Sequence, residues 1–155
     1  MQEPSGPSTS RPKPADTGLL RHMIVAFVFA VVGYFAFYAL DQHLRVRKGG
    51  WQVEFQTSTN GEPRWIINQP TLGITNVQIR FPGGAVTNPP GAVVFDTPKK
   101  QPLQGKLVFH DLTYLPGVIV IDHLGHQIQL VPRTLVLDKR ERGWTNGAVH
   151  ELEAR

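Results

Sequence analysis

Cysteine is absent from this chain of 155 residues. The absence excludes a disulfide scaffold, a zinc or iron–sulfur site with cysteine ligands, and a cysteine nucleophile. The chain also lacks the GxSxG and HExxH motifs and a glycine-rich phosphate loop before a helix. Ser58 is the one serine after Leu40, and no histidine lies near it in the sequence, which does not favour a serine nucleophile. We therefore expect a protein that is not an enzyme and uses no cofactor.

Most of the chain carries nearly equal numbers of positive and negative side chains. The net charge is +4, yet from Gly49 onward 10 Lys and Arg face 9 Asp and Glu. The positive excess lies on both sides of an apolar segment, in Arg11, Lys13, Arg21, Arg45, Arg47 and Lys48. Cations in these positions contact anionic lipid headgroups. A nearly neutral remainder has no electrostatic footprint for a phosphate backbone, so we expect no nucleic-acid partner.

The N-terminal residues differ in composition from everything that follows. Residues 1–18 are rich in proline and serine and contain no large aliphatic side chain except Met1. Such a segment buries too little apolar surface to offset its chain entropy. We predict a disordered tail over residues 1–18.

A long apolar run is the strongest signal in the sequence. Residues 23–40 are 18 consecutive residues without a charge, an amide or a proline. As a helix they span about 27 Å, close to the hydrocarbon thickness of a bilayer. We predict a transmembrane helix with a basic exit over residues 19–46. Tyr34 and Tyr38 near its end, and Trp51 after it, are typical of a membrane interface.

The same run is longer than the apolar core of a cleaved signal peptide, and no small-x-small cleavage site follows it. These features favour a retained signal anchor. Three Lys or Arg lie within about 20 residues of each end of the run, so the positive-inside rule gives no orientation. The short polar tail and the large C-terminal domain favour a cytoplasmic N-terminus and an extracytoplasmic domain.

From Trp51 the hydrophobic period changes to two. Short alternating segments, separated by Gly, Pro and Asn turns, predict seven or eight strands over residues 51–145. No interior helical pattern supplies parallel crossovers. We therefore predict an all-β domain, an antiparallel β-sandwich of immunoglobulin-like architecture, with a small β-barrel as the alternative. Residues 146–155 are predicted as a C-terminal tail, in which Val149 and Leu152 anchor one helical turn.

Several strand faces can be assigned from this alternation. The first two strands form a hairpin around Asn60 and Gly61, which tolerate positive φ. Val77, Ile79 and Phe81 point inward from the third strand. In the fifth strand, Leu107 and Phe109 share a face.

Histidine supplies the one suggestive cluster, His110, His123 and His126. If Ile121 faces Ile128, then Asp122 pairs with Gln127 and the segment HLGH closes a hairpin. In that register the last two histidines lie close enough to share a metal ion, with His110 or Asp122 as a third ligand. The alternative is a type I turn with a bulge, which shifts the register and points His123 off the tip. A simpler interpretation treats both as exposed loop histidines.

The three tryptophans also have two interpretations. Trp51, Trp65 and Trp144 line a carbohydrate or peptide groove in one of them, and pack in the core or close to the membrane in the other. The second is the commoner role for large aromatic side chains in a small β-domain, and we expect it here.

These observations lead to two functional hypotheses. The first is a single-pass, membrane-anchored, non-enzymatic interaction or scaffold module, whose partners are the lipid bilayer and a protein of unknown identity. The alternative is a metal-binding or metal-delivery domain built on the histidines. Ala26, Ala30 and Gly33 share one helix face, and such small residues allow a weak homodimer in the membrane.

Overall fold

The computed structural model describes residues 17–155. Helix α1 spans Thr17–Val46. The strands follow as β1 Trp51–Thr57, β2 Pro63–Gln69, β3 Ile74–Arg80, β4 Gly91–Phe95, β5 Lys106–His110, β6 Ile119–His123, β7 His126–Val131, β8 Thr134–Leu137, β9 Arg140–Arg142 and β10 Val149–Glu151. One turn of 3-10 helix, Pro70–Leu72, separates β2 from β3. The predicted tail over residues 1–18 lies almost wholly outside the described residues.

Helix α1 is long and apolar enough to cross a membrane. Its candidate span is Gly18–Val46, in which the most apolar stretch of 18 residues has a mean hydropathy of 2.4 and no buried residue. A helix that exposes apolar side chains all round suits lipid rather than water. The helix ends at a left-handed glycine: Gly49 has φ of 68° and donates its N–H to the Val46 carbonyl, as a helix C-cap requires.

The strands form two five-stranded sheets. Sheet A has the order β10-β3-β2-β1-β4, and sheet B has the order β5-β6-β7-β8-β9. Neighbouring strands are antiparallel except β10, which runs parallel to β3. In sheet A, strand β4 returns beside β1, and the order β4-β1-β2-β3 is that of a Greek key. Among the described residues no strand of one sheet pairs with a strand of the other, which favours two layers over a closed barrel.

Both sheets contribute to one hydrophobic core. The alternation predicted for β1 and β3 is confirmed: Trp51, Val53 and Phe55 are buried, and so are Val77, Ile79 and Phe81. Sheet B covers them with Ile119, Ile121, Ile128, Leu130, Leu135 and Leu137. The predicted hairpin between β1 and β2 is also present, with Phe55 paired to Trp65.

The prediction for β5 was wrong at Phe109. Leu107 is paired with Ile121 and packs against the core, but Phe109 is paired with Val120, because an irregularity in the register lies between them. The extra residue, Val108, reverses the alternation. Phe109 is therefore 55% exposed on an edge strand, and Val108 is 51% exposed.

The C-terminal segment also differs from its prediction. Val149–Glu151 is a strand, not a helical turn. It lies beside β3, with Val149 paired to Gln78 and Glu151 to Arg80. Sheet A therefore continues beyond residue 145, into the segment that the sequence predicted as a tail.

Two tryptophans close the core from opposite ends of β1 and β2. Trp51 is fully buried, stacks on Trp144 at 5.2 Å between ring centroids and donates its indole N–H to the Gly117 carbonyl at 3.1 Å. Trp65 is buried and donates to Oε1 of Gln104 at 3.0 Å. The core interpretation is therefore correct for both. The side chain of Trp51 packs inside the domain and is not exposed at its surface.

The segment that joins α1 to the first sheet is held by a buried glutamine. The side-chain Nε2 of Gln69 lies 3.0–3.2 Å from the carbonyl oxygens of Lys48, Gly49 and Gly50. Its Oε1 accepts hydrogen bonds from the N–H and the hydroxyl of Thr71. A carbonyl cluster of this kind needs a donor, because buried polar groups without a partner are costly.

Replacing this amide with a carboxylate tests its role. Gln69→Glu keeps the size and the acceptor oxygens but puts a negative charge against three carbonyl oxygens. We expect a loss of about 2–3 kcal/mol in the free energy of unfolding and faster amide exchange at Gly50 and Trp51. Gln101→Glu, at an exposed loop position, is the control and leaves both measurements unchanged. Equal stability of the two variants in denaturant titrations would contradict the assignment.

Candidate binding groove

The predicted register of the histidine hairpin is confirmed. Asp122 pairs with Gln127, and Ile121 pairs with Ile128. The turn is tighter than the predicted four-residue loop, because the pairing extends to His123 and His126. The two residues between them, Leu124 and Gly125, have φ of 47° and 79°, as a two-residue type I′ turn requires. The alternative with a type I turn and a shifted register is wrong.

His123 is part of the core rather than an exposed loop residue. Its side chain is 6% exposed and lies 5.0 Å from the Trp65 ring and 4.7 Å from the Phe81 ring, between centroids. Burial, followed by the proximity of His126, lowers the pKa of His123 to about 4. In the folded protein it is therefore neutral near pH 7 and acts as an aromatic core residue.

His126 is also buried, and it joins three parts of the chain. Its Nδ1 lies 2.6 Å from Oδ2 of Asp138, and its Nε2 lies 2.6 Å from the carbonyl oxygen of Glu153. Both ring nitrogens therefore lie at hydrogen-bond distance from an oxygen atom of another segment. The other carboxylate oxygen of Asp138 accepts the main-chain N–H of Gln127 at 3.0 Å. His126 thus ties the segment after β10 to sheet B.

His110 is not brought near the other two. It is paired with Ile119 at one end of β6, whereas His123 ends that strand at the other. Its ring lies against Phe95, and burial lowers its pKa. Within residues 17–155, no three His, Asp or Glu side chains are placed to hold a metal ion. The structure therefore does not assemble the predicted metal ligands.

A groove lies on the open side of the sandwich, between the edge strands β9 and β10. Its volume is about 780 Å³. The half-buried side chains of His150 and Leu152 and the buried side chain of Leu137 form its floor. Arg140 and Arg142 line one rim, and Glu151 and Glu153 line the other.

The backbone of β10 presents hydrogen-bonding groups to this groove. Ala148 O, Leu152 N and Ala154 N bond to β3 and its continuation. In a strand the main-chain groups of alternate residues point to opposite sides, so those of residues 149, 151 and 153 face the groove. The carbonyl of Glu153 already accepts a hydrogen bond from His126. Residues 149 and 151 therefore offer a free edge.

Strand β9 forms the other side of the groove in the same way. Arg140–Arg142 is exposed at all three residues and is paired, in the described part of the chain, with β8 alone. The charges of the groove balance, since Arg140, Arg142 and Arg155 line it together with Asp138, Glu151 and Glu153. A balanced groove between two strand edges suits a polypeptide main chain better than a highly charged ligand.

Sequence reasoning missed this groove because it placed residues 146–155 outside the domain. The signal that was available is the alternation of Val149, His150 and Glu151, which is too short to distinguish a strand from a turn. The partner of that strand is β3, about seventy residues earlier in the chain.

No protein-family model matches this chain, and neither a curated protein nor a solved structure matches it.

The buried state of His123 predicts a specific dependence of stability on pH. The unfolded chain binds a proton at this residue near pH 6.5, but the folded protein does so only near pH 4. The stability that neutral His123 provides is fully present above pH 6.5. As the pH falls toward 4, the free energy of unfolding decreases by about 3 kcal/mol. His123→Phe keeps the ring contacts and should flatten this decline.

The measurement is unfolding by denaturant at several pH values, followed by tryptophan fluorescence. Part of the decline persists in the variant, because burial also lowers the pKa values of His110 and His150. His43→Phe, at an exposed histidine, is the control and retains the full decline. An unchanged decline in His123→Phe would show that His123 is not neutral in the fold.

Proposed function

We propose that the protein is a single-pass membrane-anchored interaction module whose β-domain binds an extended segment of a partner protein. Helix α1 acts as a retained signal anchor, with the N-terminus in the cytoplasm and the domain outside. The groove between β9 and β10 receives the partner segment as an added strand. The facing free edges of these two strands are the observation that carries the proposal.

Strand addition fits the dimensions and chemistry of the groove. An added strand lies about 4.8 Å from the strand with which it pairs and takes main-chain hydrogen bonds from it. Residues 149 and 151 of β10 supply such groups. Leu137 and Leu152 on the floor accept apolar side chains from alternate positions of the incoming segment. The bound segment is thus extended, short and apolar on one face.

The architecture that we propose is a β-sandwich of immunoglobulin-like kind at the level of its layers. Two antiparallel-rich sheets and a Greek key support this assignment. The strand order differs from that of antibody domains. Here β1–β4 lie in one sheet and β5–β9 in the other, whereas antibody domains exchange strands between sheets earlier in the chain. The barrel alternative has no closing strand pair among the described residues.

Self-association through Ala26, Ala30 and Gly33 stays a prediction. An ideal Cβ at Gly33 meets no atom within 4 Å in the described chain, so this helix face is open. The partner for which we argue is a heterologous peptide segment, because the groove lies in the β-domain and not on the helix.

The orientation can be tested with single cysteines, since the native chain has none. In intact cells, a membrane-impermeant maleimide should label Asn60→Cys, in the exposed turn between β1 and β2. Ser8→Cys should be labelled only after permeabilisation. The mass of the purified protein should include residues 1–16, because the anchor is retained. The reverse labelling pattern would overturn the orientation, and a truncated mass would overturn the anchor.

The binding groove can be tested by photo-crosslinking in native membranes. Benzoylphenylalanine in place of Arg142 should form an adduct with a defined partner, because residue 142 lines the groove. The same amino acid in place of Asn60, an exposed turn residue that does not line the groove, should not form this adduct. Glu151→Pro removes a main-chain donor that faces the groove, and proline is tolerated on the free side of an edge strand. We expect it to reduce the adduct at least tenfold.

Glu151→Ala is the matched control, since it removes the same side chain and keeps the donor. It should retain the adduct, and both variants should unfold at similar denaturant concentrations. Equal loss in the two variants would assign binding to the Glu151 side chain rather than to the strand edge. An adduct of equal yield from positions 142 and 60 would contradict binding in the groove.

A further inference from the structure

The last turn of α1 is bonded to the loop between β5 and β6. The hydroxyl of Tyr114 donates to Oδ1 of Asp41 at 3.1 Å, and the N–H of Leu115 donates to the carbonyl of Arg45 at 2.7 Å. The guanidinium of Arg45 lies over the Tyr114 ring, 5.2 Å from its centroid, and its Nε donates to Asp41 at 2.7 Å. These contacts fix the loop against residues 41–46.

The loop is shaped in advance by its own hydrogen bonds. The carboxylate of Asp111 accepts the N–H of Thr113 at 2.8 Å, and the indole of Trp51 donates to the carbonyl of Gly117. Gly117 has φ of 66°, and a Cβ there would collide with the carbonyl of Asp111. Tyr114 is therefore displayed from a defined turn, and its ring is 52% exposed.

Covalent connectivity places this loop at the level where the chain leaves the membrane. Asp41 directly follows Leu40, the last residue of the uncharged run. A side chain that bonds to Asp41 therefore lies within a hydrogen-bond length of that level. Tyrosine is enriched there because its ring is apolar and its hydroxyl is polar.

Further apolar and basic side chains lie at the same end of sheet B. The loop begins directly after β5, so Phe109 and Val108 lie just before it, and the bulge turns both toward solvent. Arg47 and Lys48 follow the helix and are exposed. Exposed apolar side chains and cations near one end of a domain match the headgroup layer of an anionic membrane.

We infer that the β5–β6 loop and the adjoining edge of β5 form a lipid-contacting surface of the domain, in which Tyr114, Phe109 and Val108 enter the headgroup layer. The inference rests on the membrane anchoring of the proposed function. It commits to lipid because the surface is continuous with the point at which the anchor leaves the bilayer.

The test uses the full chain in vesicles of phosphatidylcholine and phosphatidylglycerol. Single nitroxide labels are placed at Thr113→Cys and Val108→Cys, with Asn60→Cys as the aqueous reference and Val28→Cys as the reference within the anchor. Relaxation by oxygen, which partitions into lipid, is compared with relaxation by a water-soluble nickel chelate. We expect the labels at 113 and 108 to favour oxygen relative to the label at 60.

A substitution pair then tests the apolar edge. Phe109→Glu should shift the label at 113 toward the aqueous reference. Val149→Glu, at an exposed apolar residue on the edge strand β10, should leave the label unchanged. Equal shifts from both would overturn the inference.

The outcomes separate the two proposals. If the label at 28 is in lipid while those at 113 and 108 match the aqueous reference, the lipid-contacting surface is overturned and the anchor stands. If the label at 28 is itself aqueous, the anchoring is overturned. Labels at 113 and 108 that are shielded from both reagents would indicate a protein contact and would also overturn the inference.

Discussion

The fold depends on how the chain changes from a long apolar helix to a sheet within four residues. Gly49 ends the helix, and Gly50 passes so close to β4 that a Cβ would collide with the carbonyl of Phe95. The turn leaves three carbonyls near one point, and the amide nitrogen of Gln69, with its two N–H groups, lies within 3.0–3.2 Å of all three. Trp51 then enters the core at the first position of β1. The inward face of β1 is set by this entry, and β1 is the strand against which both β2 and β4 pair.

Buried polar side chains close the opposite end of the sandwich. His123 fills space between Trp65 and Phe81 as a neutral ring, so desolvation costs less than it would for a cation. His126 lies directly across the hairpin and bonds to Asp138 and to the main chain of Glu153. Because that bond fixes the segment after β10, the hairpin also fixes one wall of the groove. The groove is therefore built on core packing, not on a loop.

Local patterns predicted much of this fold. The apolar run predicted α1, and period-two alternation predicted β1 to β8 and the pairing of Asp122 with Gln127. The failures have physical reasons. One extra residue at Val108 reverses the faces of β5, and nothing in KLVFH distinguishes a bulge from a regular strand. Strand β10 depends on a distant parallel partner. His123 and His126 share the inward face of Ile121 and Ile128, so the predicted register itself indicated their burial, but their polar chemistry favoured the loop interpretation.

The two proposed surfaces are compatible because of the strand order. In sheet B, β5 and β9 are the two edges, and four strand spacings separate them by about 19 Å. A domain that rests on lipid through the edge of β5 therefore directs the edge of β9, and β10 beside it, away from the bilayer. A partner segment can then approach the groove without displacing lipid. The strand order of sheet B, which places β5 and β9 at opposite edges, is sufficient for this division.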